Sequence, residues 1–143
     1  MKFTAYVTDE REEEVIVYTK QRTKLVDEIE RLVSDCDLQL IGYTDKYTVA
    51  LTPDEVYCFI VDSGKIYALT ENEKLQLKCR LYHLEETLSQ NFVKINQSCI
   101  ANIRKIERFD TSISGTMLVI FKNSHKDYVS RRQMKTVKER LGL

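Results

Sequence analysis

Short strand-like runs follow one another closely between residues 47 and 130. Each run is rich in β-branched and aromatic side chains, and turn-forming residues such as Pro53-Asp54 and Ser63-Gly64 separate neighbouring runs. Many short strands with regular turns predict an antiparallel β architecture. The predicted strands are 47–51, 56–62, 65–70, 73–78, 92–95, 103–109, 116–121 and 127–130.

Three segments of this region have a helical character instead. Residues 81–88 and 131–141 place apolar side chains at helical spacing, and 96–101 is a short piece that opens with polar residues. Together the patterns predict a mostly β fold of the α+β class, with antiparallel β-sheets and short helices.

The first 45 residues differ in pattern and in charge. Residues 2–8 and 15–18 have the composition of strands and could form a hairpin. Residues 21–34 have one apolar stripe typical of an amphipathic helix, and 38–43 return to a strand. We therefore expect a compact N-terminal ββα unit over residues 1–45, with a second domain over 46–143. The helix stripe makes this unit a candidate dimerisation element.

The zero net charge conceals a marked asymmetry along the chain. Residues 1–45 carry six Lys and Arg against eleven Asp and Glu, whereas 91–143 carry eleven against four. A segregated basic end is typical of a protein with an anionic partner such as a phosphate backbone. A basic surface that is only solvated is an equally good explanation of the charge alone.

Several functional classes find no support in the sequence. The chain has no apolar run of bilayer-spanning length and no signal peptide, and its four cysteines lack the spacing of metal ligands. Nucleophile motifs and glycine-rich phosphate loops are missing too, and His83 and His125 stand alone. We expect a cytoplasmic protein with reduced thiols that is not an enzyme and uses no cofactor or metal.

Three blocks of sequence resemble the LytTR DNA-binding family. They are a first hairpin, Val56–Ile60 with Lys65–Ala68, a central stretch, Phe92–Ile106, and the ending Tyr128–Arg132 before the last helix. The resemblance spans roughly residues 46–143. The chain departs from the family pattern at four positions. Lys94 stands where Arg is usual, and Asn96 stands where His is common. Gln97 stands where Lys or Asn is common, and Cys99 replaces the usual aromatic residue. Family members commonly follow a receiver domain. The segment before residue 46 is too short for a receiver, so we expect a stand-alone member without one.

The resemblance also implies which residues contact DNA. Arg132 corresponds to the family's base-contacting arginine, Gln97 to a base-contacting position, and Lys94 to a backbone contact. Lys65, after the Ser63-Gly64 turn, corresponds to a third DNA-facing loop. The full set of predicted contact residues is Lys65, Lys94, Asn96, Gln97, Ser98, Ser130, Arg131 and Arg132. The alternatives are that 96–98 only cap the next helix and that the cations are only solvated.

The resemblance therefore implies a bacterial transcription regulator that inserts loops of a β scaffold into the major groove of double-stranded DNA. We expect it to act as a homodimer, with control through expression level or a membrane-protein regulator. The leading alternative is a protein-interaction or ligand-sensing module that kept the fold and lost DNA binding. Single-stranded nucleic-acid binding is disfavoured, because the basic third has few aromatics and all of them, Tyr128 included, stand in buried-looking contexts.

Overall fold

The structure is a computed structural model. It describes residues 2, 4–11, 14–37, 39–111 and 115–143, without the side chains of 31 and 34–37. Three helices are present: α1 (Lys24–Asp37), α2 (Leu81–Thr87) and α3 (Arg131–Leu141). The strands are β1 (Leu40–Tyr43), β2 (Thr48–Leu51), β3 (Cys58–Asp62), β4 (Lys65–Leu69), β5 (Lys74–Leu77), β6 (Phe92–Asn96), β7 (Cys99–Asn102), β8 (Ile106–Asp110), β9 (Met117–Phe121) and β10 (Lys126–Val129).

The strands form two antiparallel sheets. A seven-stranded sheet has the order β2-β1-β5-β4-β3-β7-β6, and a three-stranded sheet has the order β10-β9-β8. Each observed strand pair is antiparallel. The predicted fold class, mostly β with short helices, is confirmed.

The core lies on both faces of the larger sheet, because successive residues of a strand point to opposite faces. On one face, Cys58 and Ile95 pack with Val119 and Phe121 of the smaller sheet and with Val137 of α3. On the other face, apolar side chains of the larger sheet pack with α2. This second cluster includes Phe59, Leu75, Leu84, Leu88 and Ile100. The smaller sheet and α3 therefore pack over β3, β6 and β7, the strands that carry two of the turns discussed below.

The prediction of a helix over 96–101 is wrong. Residues 99–102 form β7, which pairs with β3 on one side and β6 on the other. All four β7 side chains are buried, and a central strand buried on both faces has no polar alternation to reveal it. The polar residues before it form a turn, so they cap no α-helix.

The predicted N-terminal ββα unit is corrected as well. The helix exists as α1, but the described residues before it contain no strand. The strand after it, β1, pairs with β2 and with Gln76 of β5, so it belongs to the larger sheet. An isolated two-stranded hairpin is only marginally stable in water, and the described residues at 4–8 and 14–18 pair with neither sheet. Phe3, within the predicted first strand, lies outside the described residues.

Three of the four cysteines can be placed, since the Cys36 side chain lies outside the described residues. Cys58 and Cys99 are buried, Cys79 is half-buried, and all three are free thiols. A hydrogen bond with Cys58, together with burial, raises the pKa of Cys99 well above its usual value. Cys99 is therefore a protonated core residue rather than a reactive thiolate.

Gly42 is a close-packed position in β1 and offers a test of the sheet. A Cβ atom there would lie 2.8 Å from Leu75 Cβ and 3.0 Å from Leu51 Cδ2. We expect Gly42→Ala to lower the free energy of unfolding by about 1–3 kcal/mol, the usual cost of overpacking a core. Urea unfolding measures this, with Ala50→Ser on the exposed side of β2 as the control. Equal stability of the two variants would contradict the packing.

Candidate nucleic-acid interface

Three turns meet at one end of the larger sheet. The amide of Val61 donates to the carbonyl of Ser98 at 2.9 Å, which sets the β3–β4 turn beside the β6–β7 turn. The amide of Ser130 donates to the carbonyl of Ile95 at 2.8 Å, which sets the start of α3 beside the same β6–β7 turn. We call this end the three-turn surface, made of residues 62–65, 96–98 and 130–132.

The β3–β4 turn has a conformation that fixes Lys65. Ser63 and Gly64 are its two central residues, with φ values of 50° and 77°. Positive φ at both positions is what a type I′ hairpin turn requires. Lys65 follows and is exposed, with no ion pair to another described residue. The neighbouring carboxylate of Asp62 accepts a hydrogen bond from Lys74 Nζ at 2.8 Å, and this bond lowers the pKa of Asp62.

Asn96 supports the β6–β7 turn from the protein interior and is only 3% exposed. Its amide nitrogen donates to Asp127 Oδ1 at 2.9 Å and to the Tyr128 carbonyl at 2.8 Å. Its amide oxygen accepts from the Ser98 backbone N–H at 2.8 Å. The prediction that Asn96 contacts DNA directly is therefore corrected, because a buried amide with all these partners cannot also reach a base. It is a positioning residue.

Gln97 and Ser98 occupy the two central positions of this turn and are exposed. Neither side chain hydrogen-bonds to another described residue, so the Gln97 amide and the Ser98 hydroxyl face solvent. Both predicted contact residues are thus placed where a ligand could reach them.

The start of α3 supplies the strongest charges of the three-turn surface. Ser130 is the N-cap residue, and its side chain makes no capping hydrogen bond. Arg131 and Arg132 follow, both exposed, and neither forms an ion pair with another described side chain. The amides of a helix N-terminus and its dipole favour an anion at this point. Two guanidinium groups and a helix start therefore coincide.

Lys94 is placed less favourably than the other predicted contacts. It is half-buried, and its Nζ lies 3.7 Å from the carboxylate of Glu85 on α2. The side chain thus points toward α2 on the flank of the sheet, away from the turns.

Sequence reasoning missed two features of the elements that carry the three-turn surface. The Arg140 guanidinium donates to the carbonyls of Gln90 and Phe92, both at 3.3 Å, and so ties α3 to the start of β6. Tyr128 is 54% exposed beside the Asn96 hydrogen bonds, so the expectation that it is buried is wrong. The alternation of β10, with Val129 buried and Tyr128 outward, is the signal that identifies this exposure.

The basic charge of the last third is not gathered in one place. Lys105 and Lys122 are joined through a backbone hydrogen bond of 2.9 Å near the β9–β10 turn. Asn123 of that turn donates to the Thr70 carbonyl, at the end of β4 opposite Lys65. Burial lowers the pKa of nearby His125, which disfavours its charged form. Only part of the excess positive charge therefore lies at the three-turn surface.

Comparison with known proteins gives matches of three kinds. Residues 46–142 match the family model of the LytTr DNA-binding domain. An uncharacterized HTH-type transcriptional regulator of Staphylococcus aureus strain NCTC 8325 is 34% identical, and the match covers 100% of this chain and 99% of the relative. The regulator of strain MRSA252 matches to the same extent. A solved LytTr DNA-binding domain, from a Bacillus cereus protein described as a methyl-accepting/DNA response regulator, has a TM-score of 0.69. It is 20% identical and covers 73% of this chain and 97% of the domain.

Among the residues that the structure describes, no helix is long and apolar enough to cross a bilayer.

The three-turn surface is built differently from a helix-turn-helix, since two hairpin turns and one helix start form it. Its geometry is that of a hydrogen-bonded sheet end carrying exposed cations and amides.

Proposed function

Because this chain belongs to the LytTR DNA-binding family, we propose that it regulates transcription by applying the three-turn surface to the major groove of duplex DNA. The contact residues in this proposal are Lys65, Gln97, Ser98, Ser130, Arg131 and Arg132. Asn96 positions the β6–β7 turn, which lies between the other two elements and is called the middle turn. Lys94 contributes a phosphate contact from the flank.

The observation that carries the proposal is the coincidence of exposed cations with exposed amides at one end of the sheet. Arg131 and Arg132 follow Ser130, whose amide bonds to the carbonyl of Ile95 just before the β6–β7 turn. The hydrogen bonds of Asn96 tie the same turn to β10. DNA recognition needs cations and N–H donors for phosphates, and forked donors for base edges. Arg and Gln are the forked side chains that pair with guanine and adenine.

The dimensions of the surface suit a groove. β4, β3, β7 and β6 lie side by side, so the strand of Lys65 and the middle of the β6–β7 turn are separated by about two and a half strand spacings, or ~12 Å. The major groove is about 12 Å wide. One turn can therefore enter the groove while its neighbours contact the bordering phosphates.

We further propose that the protein binds repeated half-sites as a homodimer in the cytoplasm. A single small module buries limited DNA surface, and two linked modules bind far more tightly than one. The half-exposed apolar stripe of α1 supports an assembly of this kind.

The decisive experiment for DNA binding is the salt dependence of affinity for a duplex chosen by in vitro selection. Neutralised phosphates release counterions, so log K should fall linearly and steeply with log salt concentration. We expect Lys65→Ala to reduce this slope by about one while leaving sequence preference almost unchanged. Fluorescence anisotropy over a salt series measures both quantities.

Glu86→Ala, an exposed change on α2, serves as the control. Affinity that is weak and insensitive to salt would contradict the proposal. It would favour instead a protein-interaction or ligand-sensing module on the same fold.

A further inference from the structure

The segment before α1 presents apolar side chains to solvent. We call the described residues 4–11 and 14–18 the N-terminal arm. Tyr6 and Tyr18 are 88% and 92% exposed, Val7 is fully exposed, and Val15 and Ile16 are each 59% exposed. Burying one such side chain is worth about 1.5–3 kcal/mol, so five of them within one short segment provide a strong driving force for association.

The apolar stripe of α1 is also incompletely covered. Val26 and Ile29 are half-buried, whereas Leu25, Leu32 and Val33 are each more than a third exposed. An amphipathic helix normally buries such a stripe against a core. The chain itself covers only part of it, because α1 packs along the short helical turn at Pro53–Glu55.

The larger sheet ends in an open edge at β2. β2 is its outermost strand, and no described segment pairs with the free side of β2. The amide of Thr44 donates to the carbonyl of Tyr47, which sets the alternation of hydrogen-bonded pairs along the hairpin. Thr48 and Ala50 therefore direct their N–H and C=O groups outward. An edge of this kind accepts an extended segment as an additional strand.

The relatives indicate that the arm belongs to this type of regulator. The DNA-binding family match begins at residue 46, yet the Staphylococcus aureus relatives match over the whole chain. The similarity thus includes the segment that precedes the DNA-binding family match.

We propose that the N-terminal arm of one copy pairs as a strand with the β2 edge of a second copy and covers the α1 stripe there. The inference deepens the proposed homodimer by assigning its interface and the exchange of arms. Each chain carries one strand donor and one acceptor edge, so a two-fold axis satisfies both contacts at once. The outward N–H of Ala50 then gains a partner, and the apolar arm leaves water.

Substitution on each side of the interface tests the exchange. We expect Val7→Asp combined with Ile16→Asp to convert the full-length dimer to a monomer, because charges would enter the buried arm. Ala50→Pro should do the same by removing an outward N–H from β2 while leaving the β1 hydrogen bonds in place. Sedimentation velocity measures the change, with Thr19→Asp and Ala50→Val as matched controls that remain dimeric.

Mixing the two disrupted variants distinguishes exchange between copies from folding back within one chain. The arm variant keeps an intact β2 edge, and Ala50→Pro keeps an intact arm, so one of the two contacts can re-form between them. We expect the mixture to form a heterodimer that is weaker than the wild-type dimer but stronger than either variant alone. Circular dichroism shows whether each variant is folded before mixing.

The proposal is overturned by a wild-type protein that stays monomeric at micromolar concentration, by dimers that survive both substitutions, or by a mixture that remains monomeric. Affinity for DNA is measured separately, on a duplex that carries a single half-site. Monomeric arm variants should bind one half-site with wild-type affinity and lose cooperative binding to two. A wild-type protein that does not bind a half-site would instead contradict the DNA-contact proposal. That result would not bear on the proposed dimer interface.

Discussion

Replacing Arg132 with alanine is expected to weaken binding to a selected duplex by about 10- to 100-fold, with a much smaller effect on random duplex. Arg132 is exposed at the start of α3 and has no ion-pair partner among the described side chains. Its guanidinium is therefore available to donate two hydrogen bonds to one base edge. The loss of specificity, not the loss of charge, should dominate.

Competition binding assays measure this prediction, because they report affinity for selected and random duplex in one titration. Lys122→Ala is the matched control, since Lys122 is an exposed cation at the opposite end of the sheet. It should change both affinities little. Equal losses on selected and random DNA in Arg132→Ala would mean that Arg132 contacts only phosphate.

Asn96→Asp should be the most damaging single change at the three-turn surface. The new carboxylate would place an oxygen where the amide nitrogen now donates to Asp127 Oδ1 and to the Tyr128 carbonyl. Two buried hydrogen bonds would become repulsive contacts, so we expect the free energy of unfolding to fall by about 2–4 kcal/mol at pH 7. Half-site affinity should fall as well, because the middle turn loses its link to β10.

The effect of Asn96→Asp should depend on pH in a defined direction. The Asp127 carboxylate would raise the pKa of the new carboxyl in the folded state, because two adjacent like charges disfavour ionisation. A carboxyl whose pKa is raised in the folded state lowers the free energy of unfolding as pH rises, and the loss is complete above that pKa. The stability returns as pH falls. Thermal unfolding at pH 5 and pH 7 measures the difference.

Asn72→Asp, an isosteric change in an exposed turn, is the control for this series. It should show little loss of stability at either pH. A loss in Asn96→Asp that is equally large at both values would contradict the proposed coupling to Asp127.

Strand identity was largely predictable from the sequence, because the pattern and the turns agreed. The Ser63-Gly64 turn and the burial of Phe59 and Ile66 follow directly from alternation and turn chemistry. The positions of Lys65, Gln97 and Arg132 at element ends were also predictable. Their convergence was not, since it depends on the hydrogen bonds of Val61 and Ser130 across strands far apart in sequence.

The failures have physical causes of two kinds. β7 was mistaken for a helix because Cys99, Ile100 and Ala101 are all buried and show no period that separates strand from helix. The N-terminal arm was given a hairpin because local propensity counts side chains and cannot show whether a sheet is available to receive them. The role of Asn96 was missed because its partners, Asp127 and Tyr128, are remote in sequence.

The support that Asn96 provides has a consequence for how regulators of this design can diversify. Gln97 and Ser98 form a two-residue loop whose backbone is fixed from the interior, while their own side chains contribute nothing to the fold. Residues at such positions can be substituted without compensating changes in the surrounding fold. A new operator preference could thus arise through changes at two adjacent codons, with thermal stability preserved.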